Sequence, residues 1–303
     1  MEIIREYKNN FVIKDNIAVA MGYFDGIHVG HQAILESTKK DGYKRGVLSF
    51  NNPPLSFITH SDVPSRLVPE EDKMKLLEDM GIDYVFSFDF DDEMMNLSCD
   101  EFIGQLLYKN NIKHVVVGFN FRFGKGAVGT TDNIDEYCKK YGITTQIISP
   151  ISIDDEVVSS SLIRKCLHQG EIQEANKYLS RNFYLKGTVV KGKQLARTLN
   201  FPTANFEIPS DMVIPKWGVY ETKCFIDGEV HKSITNVGDN PTIEGDDARI
   251  ETHILDFDRF IYGEEIKVEF VRRLRGEIAF SGLDKLQKQI LSDIEDVRCS
   301  KWW

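Results

Sequence analysis

Apolar segments of strand length alternate with helix-like segments over the first half of the chain. Buried strands are predicted at 16–24, 45–50, 81–88, 114–117 and 145–148. Apolar residues at helical spacing predict helices at 32–40, 69–80, 98–108 and 133–141. This alternation favours a parallel sheet with helices covering its faces. In such α/β folds, ligands bind beyond the carboxyl ends of the strands.

The pattern changes in the second half of the chain, where short strands follow one another. After helical segments at 159–167 and 171–179, strands are predicted at 184–192, 218–226, 229–238, 249–257 and 265–274. Turn residues separate these strands, which is typical of a small antiparallel barrel. An amphipathic helix is predicted at 282–294. We therefore expect two domains, residues 1–182 and residues 183–303.

Composition and charge narrow the class of protein. A length of 303 residues suits two domains, and no apolar run is long enough for a membrane span. The charged N-terminus lacks the apolar core of a signal peptide, and five cysteines without paired spacing predict free thiols. These features predict a cytoplasmic location. A net charge of −10 argues against nucleic-acid binding, while self-association stays open.

A glycine turn carrying two histidines follows the first long strand. The segment 18–32 reads AVAMGYFDGIHVGHQ, so the strand breaks at Gly22 and Gly26 before His28 and His31. Free backbone N–H groups and the dipole at a helix N-terminus favour an anion there. Two imidazoles in such a site can hold phosphates and stabilise moving charge. The alternatives are two ordinary turn histidines, or a zinc site, which lacks a third ligand at useful spacing.

A second candidate phosphate site consists of three serines, Ser159, Ser160 and Ser161, followed by Arg164. Hydroxyls and free N–H groups at a helix start, with an arginine one turn later, are typical of phosphate binding. The serines also fit a simple helix N-cap. Because the histidine turn occurs in the same α/β domain, we favour phosphate binding.

The glycine-rich segment 118–129 resembles two nucleotide-binding motifs without matching either. Gly126 stands where a Walker A loop needs Ser or Thr to bind magnesium. The spacing at 124–129 fits G-x-G-x-x-G, but no amphipathic helix is predicted to open within that motif. We interpret the segment as a glycine-rich loop in which Arg122 and Lys125 face a ligand.

An ordered set of motifs resembles those of prokaryotic bifunctional riboflavin kinase/FMN adenylyltransferases, or FAD synthetases. The similar motifs of the first module are GYFDGIHVGH (22–31), GFNFRFG (118–124) and SSSLIR (159–164). Those of the second are FPTAN (201–205), GVY (218–220), NVGDNPT (236–242), ETHILDF (251–257) and LRGEIAF (274–280). The resemblance covers nearly the whole chain. It implies a Rossmann-like, HIGH-type nucleotidyltransferase domain, followed by a riboflavin kinase-like antiparallel β-barrel with a terminal helix.

By this resemblance, the first module transfers AMP from ATP to FMN, forming FAD and releasing pyrophosphate. His28 and His31 would be its catalytic residues and would neutralise the triphosphate. In-line attack at the α-phosphorus needs positioning and charge stabilisation rather than a covalent nucleophile. The residues that would bind ATP and its phosphates are Gly22, Phe24, Asp25, Gly26, Asn120, Arg122, Ser159, Ser160 and Arg164.

By the same resemblance, the second module phosphorylates the ribityl 5′-hydroxyl of riboflavin with ATP. Thr203 and Asn205 would ligate the Mg²⁺ of the nucleotide, which usually takes few protein ligands. Glu251 would accept the hydroxyl proton as general base. Gly192 and Thr203 would contact the ATP phosphates, and Arg275 would contact the flavin. Without the resemblance, Glu251 fits an ordinary surface acid at a strand end.

Several positions depart from the family pattern, among them the segment DRFIYG (258–263), which differs mildly from the usual acidic-leucine-tyrosine-glycine pattern. Ala196 and Asn200 replace the two glycines of the kinase loop G-R-x-x-G-F-P-T-A-N, and Pro53 replaces a frequent histidine. Asn tolerates the left-handed backbone region better than Ala, so Ala196 favours a kinase activity weaker than the adenylyl transfer. Two other functions stay open: nucleotidyl transfer to another phosphate ester, and flavin binding by a regulator.

Overall fold

The computed structural model describes residues 1–7, 13–191, 201–238 and 249–301. The chain divides into two compact units. The first unit comprises Met1–Pro64 and Val68–Ser159, and the second comprises Ser65–Leu67 and Ser160–Trp303. The boundary expected between residues 182 and 183 stays a prediction.

The first unit is built on a six-stranded parallel sheet with the order β1-β4-β3-β2-β5-β8. Its strands, with two short hairpins, are β1 (Glu2–Ile4), β2 (Ile17–Met21), β3 (Lys44–Phe50), β4 (Tyr84–Phe88), β5 (Ile112–Gly118), β6 (Arg122–Phe123), β7 (Gly129–Thr130), β8 (Thr144–Ile148), β9 (Ser152–Ile153) and β10 (Glu156–Val157). Its helices are α1 (Val29–Glu36), α2 (Pro54–Thr59), α3 (Glu70–Asp79), α4 (Asp92–Asn96), α5 (Cys99–Phe102) and α6 (Ile134–Lys139).

Strand β2 lies in the middle of this sheet, and all of its residues are buried. Successive side chains of a strand point to opposite faces. Val19 and Met21 accordingly join one apolar cluster, and Ala20 joins another. Because helices cover both faces of the sheet, β2 is a continuous apolar run rather than an alternating one.

The segment predicted as one helix at 98–108 contains two helical forms. Ser98 caps α5 by accepting from the Glu101 backbone N–H, and the Glu101 carboxylate accepts from the Ser98 N–H in return. From Ile103 to Tyr108 the chain is a π-helix. The helix predicted at 32–40 also differs, because α1 begins three residues earlier, at Val29, and ends at Glu36.

The second unit contains a closed antiparallel barrel with the strand order β11-β12-β15-β14-β13-β16. Its strands are β11 (Tyr184–Val190), β12 (Ala204–Glu207), β13 (Gly218–Ile226), β14 (Glu229–Gly238), β15 (Arg249–Ile254) and β16 (Glu265–Arg275). Pairing of β16 with β11 closes the barrel. Gly187 allows a close approach of β11 to β12, since a Cβ there would lie 1.9 Å from the Glu207 carbonyl oxygen.

Three helices accompany the barrel: α7 (Ser160–Gln169), α8 (Ile172–Leu179) and α9 (Leu283–Cys299). The inner face of α9 packs Ile294 and Val297 against Phe201 and Leu255. A parallel α/β sheet followed by an antiparallel barrel with a terminal helix confirms the predicted fold class.

Two further features concern the cysteines and the helices. Every cysteine of the chain is a free thiol, and four of the five are buried. Across the described ranges, no helix combines the length and the apolar character needed to cross a membrane.

Candidate functional sites

The glycine turn that follows β2 lies at a point where the strand order of the sheet reverses. The neighbours β3 and β4 extend from β2 in one direction, and β5 and β8 extend in the other. Crevices at such points, beyond the carboxyl ends of the strands, are the usual ligand sites of open α/β sheets. The loop from Gly22 to His28 follows β2, and Asn120 follows β5. The sheet therefore brings these two motifs to the same edge.

The backbone of this turn adopts conformations that are costly for its residues. Phe24 has φ 55°, and the β-branched Ile27 has φ 40°. Both side chains are 1% exposed and belong to the same apolar cluster. Residues held in such sparsely populated regions persist only where the surrounding packing fixes them. The buried ring of Phe24 and the buried side chain of Ile27 thus hold the turn in place.

His28 and His31 form a stacked pair at the start of α1. Their ring centroids are 3.7 Å apart with an interplanar angle of 19°, and the Phe24 ring meets His31 edge-on. His28 is the N-cap of α1, and its Nδ1 accepts from the His31 backbone N–H at 3.3 Å. The absence of a side chain at Gly30 leaves room for His28, because a Cβ there would lie 3.1 Å from its Cε1.

The electrostatic environment of His31 favours its neutral form in the ligand-free chain. Burial lowers the pKa of His31 well below 6.5, and the charges of His28 and Lys73 lower it further. The Nδ1 atom of His31 is buried and, within the part of the chain that the structure describes, has no hydrogen-bond partner. An anionic ligand would supply both a partner and the negative charge that favours an imidazolium.

Lys73 is a cation near this histidine pair that the sequence analysis missed. It is only 5% exposed, although it lies on α3, a helix rich in charged residues. Its Nζ is 2.9 Å from Glu70 Oε2 and 5.5 Å from the ring centroid of Tyr23. In the sequence, the one signal that could have identified Lys73 is its position on the inner face of the amphipathic helix α3. A lysine buried on such a face needs a partner.

We expect the stability of the first unit to fall as the pH is lowered through about 6.5. The unfolded chain then takes up a proton at His31 that the folded chain resists, so the free energy of unfolding decreases. Denaturant titrations between about pH 7 and pH 5.5 should show a smaller pH dependence for His31→Gln than for the wild type.

The matched control for this experiment is the exposed turn residue His60, replaced by Asn because its φ is 50°. Burial also lowers the pKa of His114, but that residue contributes equally to both proteins. An unchanged pH dependence in His31→Gln would contradict the assignment of this effect to His31.

The remaining residues predicted for the first site differ in their exposure to solvent. Asp25 is buried, whereas Asn120 and Arg122 are exposed, and Arg122 Nη1 donates to the Ala127 carbonyl at 3.4 Å. Ser159 is half-buried and ends the first unit. Their roles toward ATP stay predictions.

Ser160 and Arg164 belong to α7 and hence to the second unit. The helix begins at Ser160, one residue after the start of the helical segment expected at 159–167. Arg164 Nε donates to the Ser65 carbonyl at 2.7 Å. The assignment of Ser160 and Arg164 to phosphate binding stays a prediction.

Two cavities adjoin each other in the barrel and share Thr203 in their linings. The first has a volume of about 340 Å³ and is lined by residues that include Asn205, Thr252, Arg259 and Tyr262. The second has a volume of about 440 Å³, and Glu251 and Arg275 contribute to its wall. Its lining also contains a large apolar surface formed by Val219, Ile234, Ile278, Phe280, Leu286 and Ile290.

Asn205 and Glu251 are direct neighbours across the β12–β15 pair. Arg249 joins them: its Nη2 lies 2.6 Å from Glu251 Oε1, and its Nε donates to Asn205 Oδ1 at 3.2 Å. Arg249 was not among the residues predicted from the sequence. Its position two residues before Glu251 on the same strand is the signal that places both side chains on one face.

The guanidinium of Arg275 is held at the second cavity by a buried acid. Its Nη2 and Nε lie 2.9 Å and 3.0 Å from Asp293 Oδ2, and Gln289 also donates to this carboxylate. Asp293 is 7% exposed and sits on the inner face of α9. This bidentate contact fixes the orientation of Arg275 toward the cavity wall.

The oxygen donors near Thr203 fit a magnesium–nucleotide complex better than a protein-only metal site. A hydroxyl and an amide oxygen, with a carboxylate nearby, are hard donors, and Mg²⁺ is commonly held by a few of them together with phosphates. No group of three or more His, Cys, Asp or Glu side chains suited to a metal occurs among the described residues. Gly192, Ala196 and Asn200 lie outside those residues.

Comparisons with known proteins match both units of the chain. Residues 11–162 match the family described as FAD synthetase, and residues 179–300 match the family described as riboflavin kinase. A Listeria monocytogenes protein named bifunctional riboflavin kinase/FMN adenylyltransferase is 34% identical over 290 residues, covering 93% of this chain and 92% of that protein. A Bacillus subtilis protein of the same name is 33% identical over 287 residues, covering 92% and 90%.

A solved structure is similar over almost the entire chain. It is described as a macrolide-efflux protein from Streptococcus pneumoniae and superposes with a TM-score of 0.89 at 29% sequence identity. The superposition covers 99% of both chains. The two units therefore occur in the same order in that protein.

Proposed function

The chain belongs to the bifunctional riboflavin kinase/FMN adenylyltransferase family, and from this premise we propose that it phosphorylates riboflavin and then converts FMN to FAD. The observation that carries the proposal is the presence of both matched regions, in order, within one chain. The geometry supports it, because each unit holds a site of the chemistry that its step requires. ATP is the co-substrate of both steps.

In the first unit, a phosphate oxygen of FMN attacks the α-phosphorus of ATP. The bond between this phosphorus and the bridging oxygen breaks, and pyrophosphate leaves with the electron pair. The stacked imidazoles of His28 and His31 and the N-terminus of α1 supply donors for the negative charge that shifts between phosphates. No covalent nucleophile is needed, because catalysis of phosphoryl and nucleotidyl transfer rests on positioning and charge stabilisation.

In the barrel, Glu251 accepts the proton of the ribityl 5′-hydroxyl, whose oxygen attacks the γ-phosphorus, and ADP leaves. Thr203 lines both cavities. This position suits transfer of a phosphoryl group from a nucleotide in one cavity to a flavin in the other. Arg275, fixed by Asp293, is proposed to contact the flavin. Thr203 and Asn205 would hold Mg²⁺, which neutralises phosphate charge when bound.

The test is an assay series in which purified protein receives riboflavin or FMN with ATP and Mg²⁺, followed by chromatographic separation of the flavins. We expect FAD from FMN, and both FMN and FAD from riboflavin. FAD from FMN with no product from riboflavin would mean that the substituted loop, with Ala196 and Asn200 in place of the two glycines, silences the kinase. No product from either flavin would contradict the proposal.

A cytoplasmic location is part of this proposal, supported by the five free thiols, since disulfides form mainly in oxidising compartments. The proposed partners are the flavins and ATP alone, without nucleic acid or a membrane surface. The negative net charge of −10 supports this, because nucleic acids and most cell membranes carry negative charge.

A further inference from the structure

The guanidinium of Arg249 occupies two oxygens that the kinase reaction needs. One is Asn205 Oδ1, proposed to ligate magnesium, and the other is Glu251 Oε1, proposed to accept the substrate proton. Neither the sequence motifs nor the proposed mechanism gives Arg249 a role. Among the described residues, the side chain of Arg249 contacts these two proposed reacting groups.

The strand register makes this contact a fixed feature of the barrel. Asn205 and Glu251 are paired across β12 and β15, and Arg249 precedes Glu251 by two residues on β15. All three side chains thus share one face of the sheet. Arg249 is half-buried, with 23% of its side chain exposed, and Glu251 has 19% exposed. Such a charge-assisted contact is screened less than one at the open surface.

A guanidinium and a divalent cation compete for the same oxygen lone pairs. Arginine has no acceptor atom and keeps its positive charge in a protein. The Nε–H of Arg249 and a metal ion therefore cannot both use the same lone pair of Asn205 Oδ1. The same guanidinium also lies 2.6 Å from Glu251 Oε1, the oxygen proposed to accept the substrate proton. Arg249 thus contacts both the proposed metal-binding oxygen and the proposed base.

We propose that Arg249 is a tethered cation that occupies the metal-free kinase site and is displaced when the metal–nucleotide complex binds. Displacement frees Asn205 for the metal and Glu251 for the riboflavin hydroxyl in one event. The base is then available only when the phosphoryl donor is in place. This inference rests on the proposed kinase function and adds to it a positioning residue that couples nucleotide binding to base release.

The test compares Mn²⁺ binding to the full-length wild type and to Arg249→Met in the presence of saturating ADP, by electron paramagnetic resonance of free Mn²⁺. Without the competing guanidinium, the variant should bind the ion about tenfold more tightly, as expected for loss of a charge-assisted contact. The matched control is Lys186→Met, which removes the ion pair of Lys186 Nζ with Glu265 Oε1 at 3.1 Å in the same barrel. Its Mn²⁺ affinity should equal that of the wild type.

A second readout separates this role from a structural one. Arg249→Met should melt at a lower temperature than the wild type without ligands, and Mg²⁺ with ADP should raise its melting temperature by a larger increment. Equal Mn²⁺ affinities, or equal increments, would overturn the proposal for Arg249. Formation of FMN from riboflavin by the wild type is measured in parallel, so failure of the kinase function itself is recognised separately.

Discussion

Replacing His31 with alanine is expected to lower kcat/KM for FAD formation from FMN by about 100-fold or more. The Nδ1 atom of His31 is buried, and no group in the described part of the chain bonds to it. A donor preorganised in a water-poor site acts strongly on charge that develops during the reaction. Steady-state FAD formation measures the loss, and riboflavin phosphorylation by the same sample should stay at the wild-type level.

His28 needs a different substitution, because it has a structural role as well. Its Nδ1 caps α1, so alanine at this position would also cost about 1 kcal/mol of stability. Asparagine preserves the cap and removes the imidazole. We expect His28→Asn to retain the wild-type melting temperature and still lose adenylyl transfer. Wild-type rates of FAD formation in both His28→Asn and His31→Ala would exclude the histidine pair from the chemistry.

The major elements of the fold could be predicted because the positions of apolar and capping residues in the sequence reflect burial and helix capping in the structure. The apolar run of β2 reflects burial on both faces, and Ser98 with Glu101 forms the capping box that its spacing indicates. The π-helix from Ile103 to Tyr108 could not be predicted, since its apolar spacing also fits an α-helix. Strands of two residues, such as β6 and β9, are too short to carry any alternation.

Residues of the candidate sites could likewise be predicted only where the signal is local in the sequence. His28 and His31 follow a strand and two glycines, which is a local signal that the sequence carries in full. Arg249 and Asn205 are 44 positions apart, and their contact depends on the pairing of β12 with β15. No local pattern contains that information. Lys73 has the same property, because its place beside His31 follows from how α3 packs on the sheet.

Glu251→Gln is expected to lower kcat for riboflavin phosphorylation by about 100-fold to 10,000-fold, the range attributed to a general base. Glutamine retains an oxygen that can accept from Arg249, so the side chain keeps its place, but it cannot take the hydroxyl proton. FMN formation from riboflavin is the measurement. FAD formation from FMN should be unchanged, because its proposed catalytic residues, His28 and His31, lie in the first unit.

The separation of kcat from KM makes this prediction specific to catalysis. A group that acts only as the proton moves lowers kcat and kcat/KM together and leaves KM for riboflavin nearly constant. A rise in KM with unchanged kcat would instead indicate that Glu251 binds the flavin. The control is Glu265→Gln, which removes an exposed carboxylate from strand β16 of the same barrel. The carboxylate of Glu265 lines neither cavity, so the kinetics of Glu265→Gln should match those of the wild type. If Glu251→Gln turned over riboflavin at the same rate, Glu251 would not be the base.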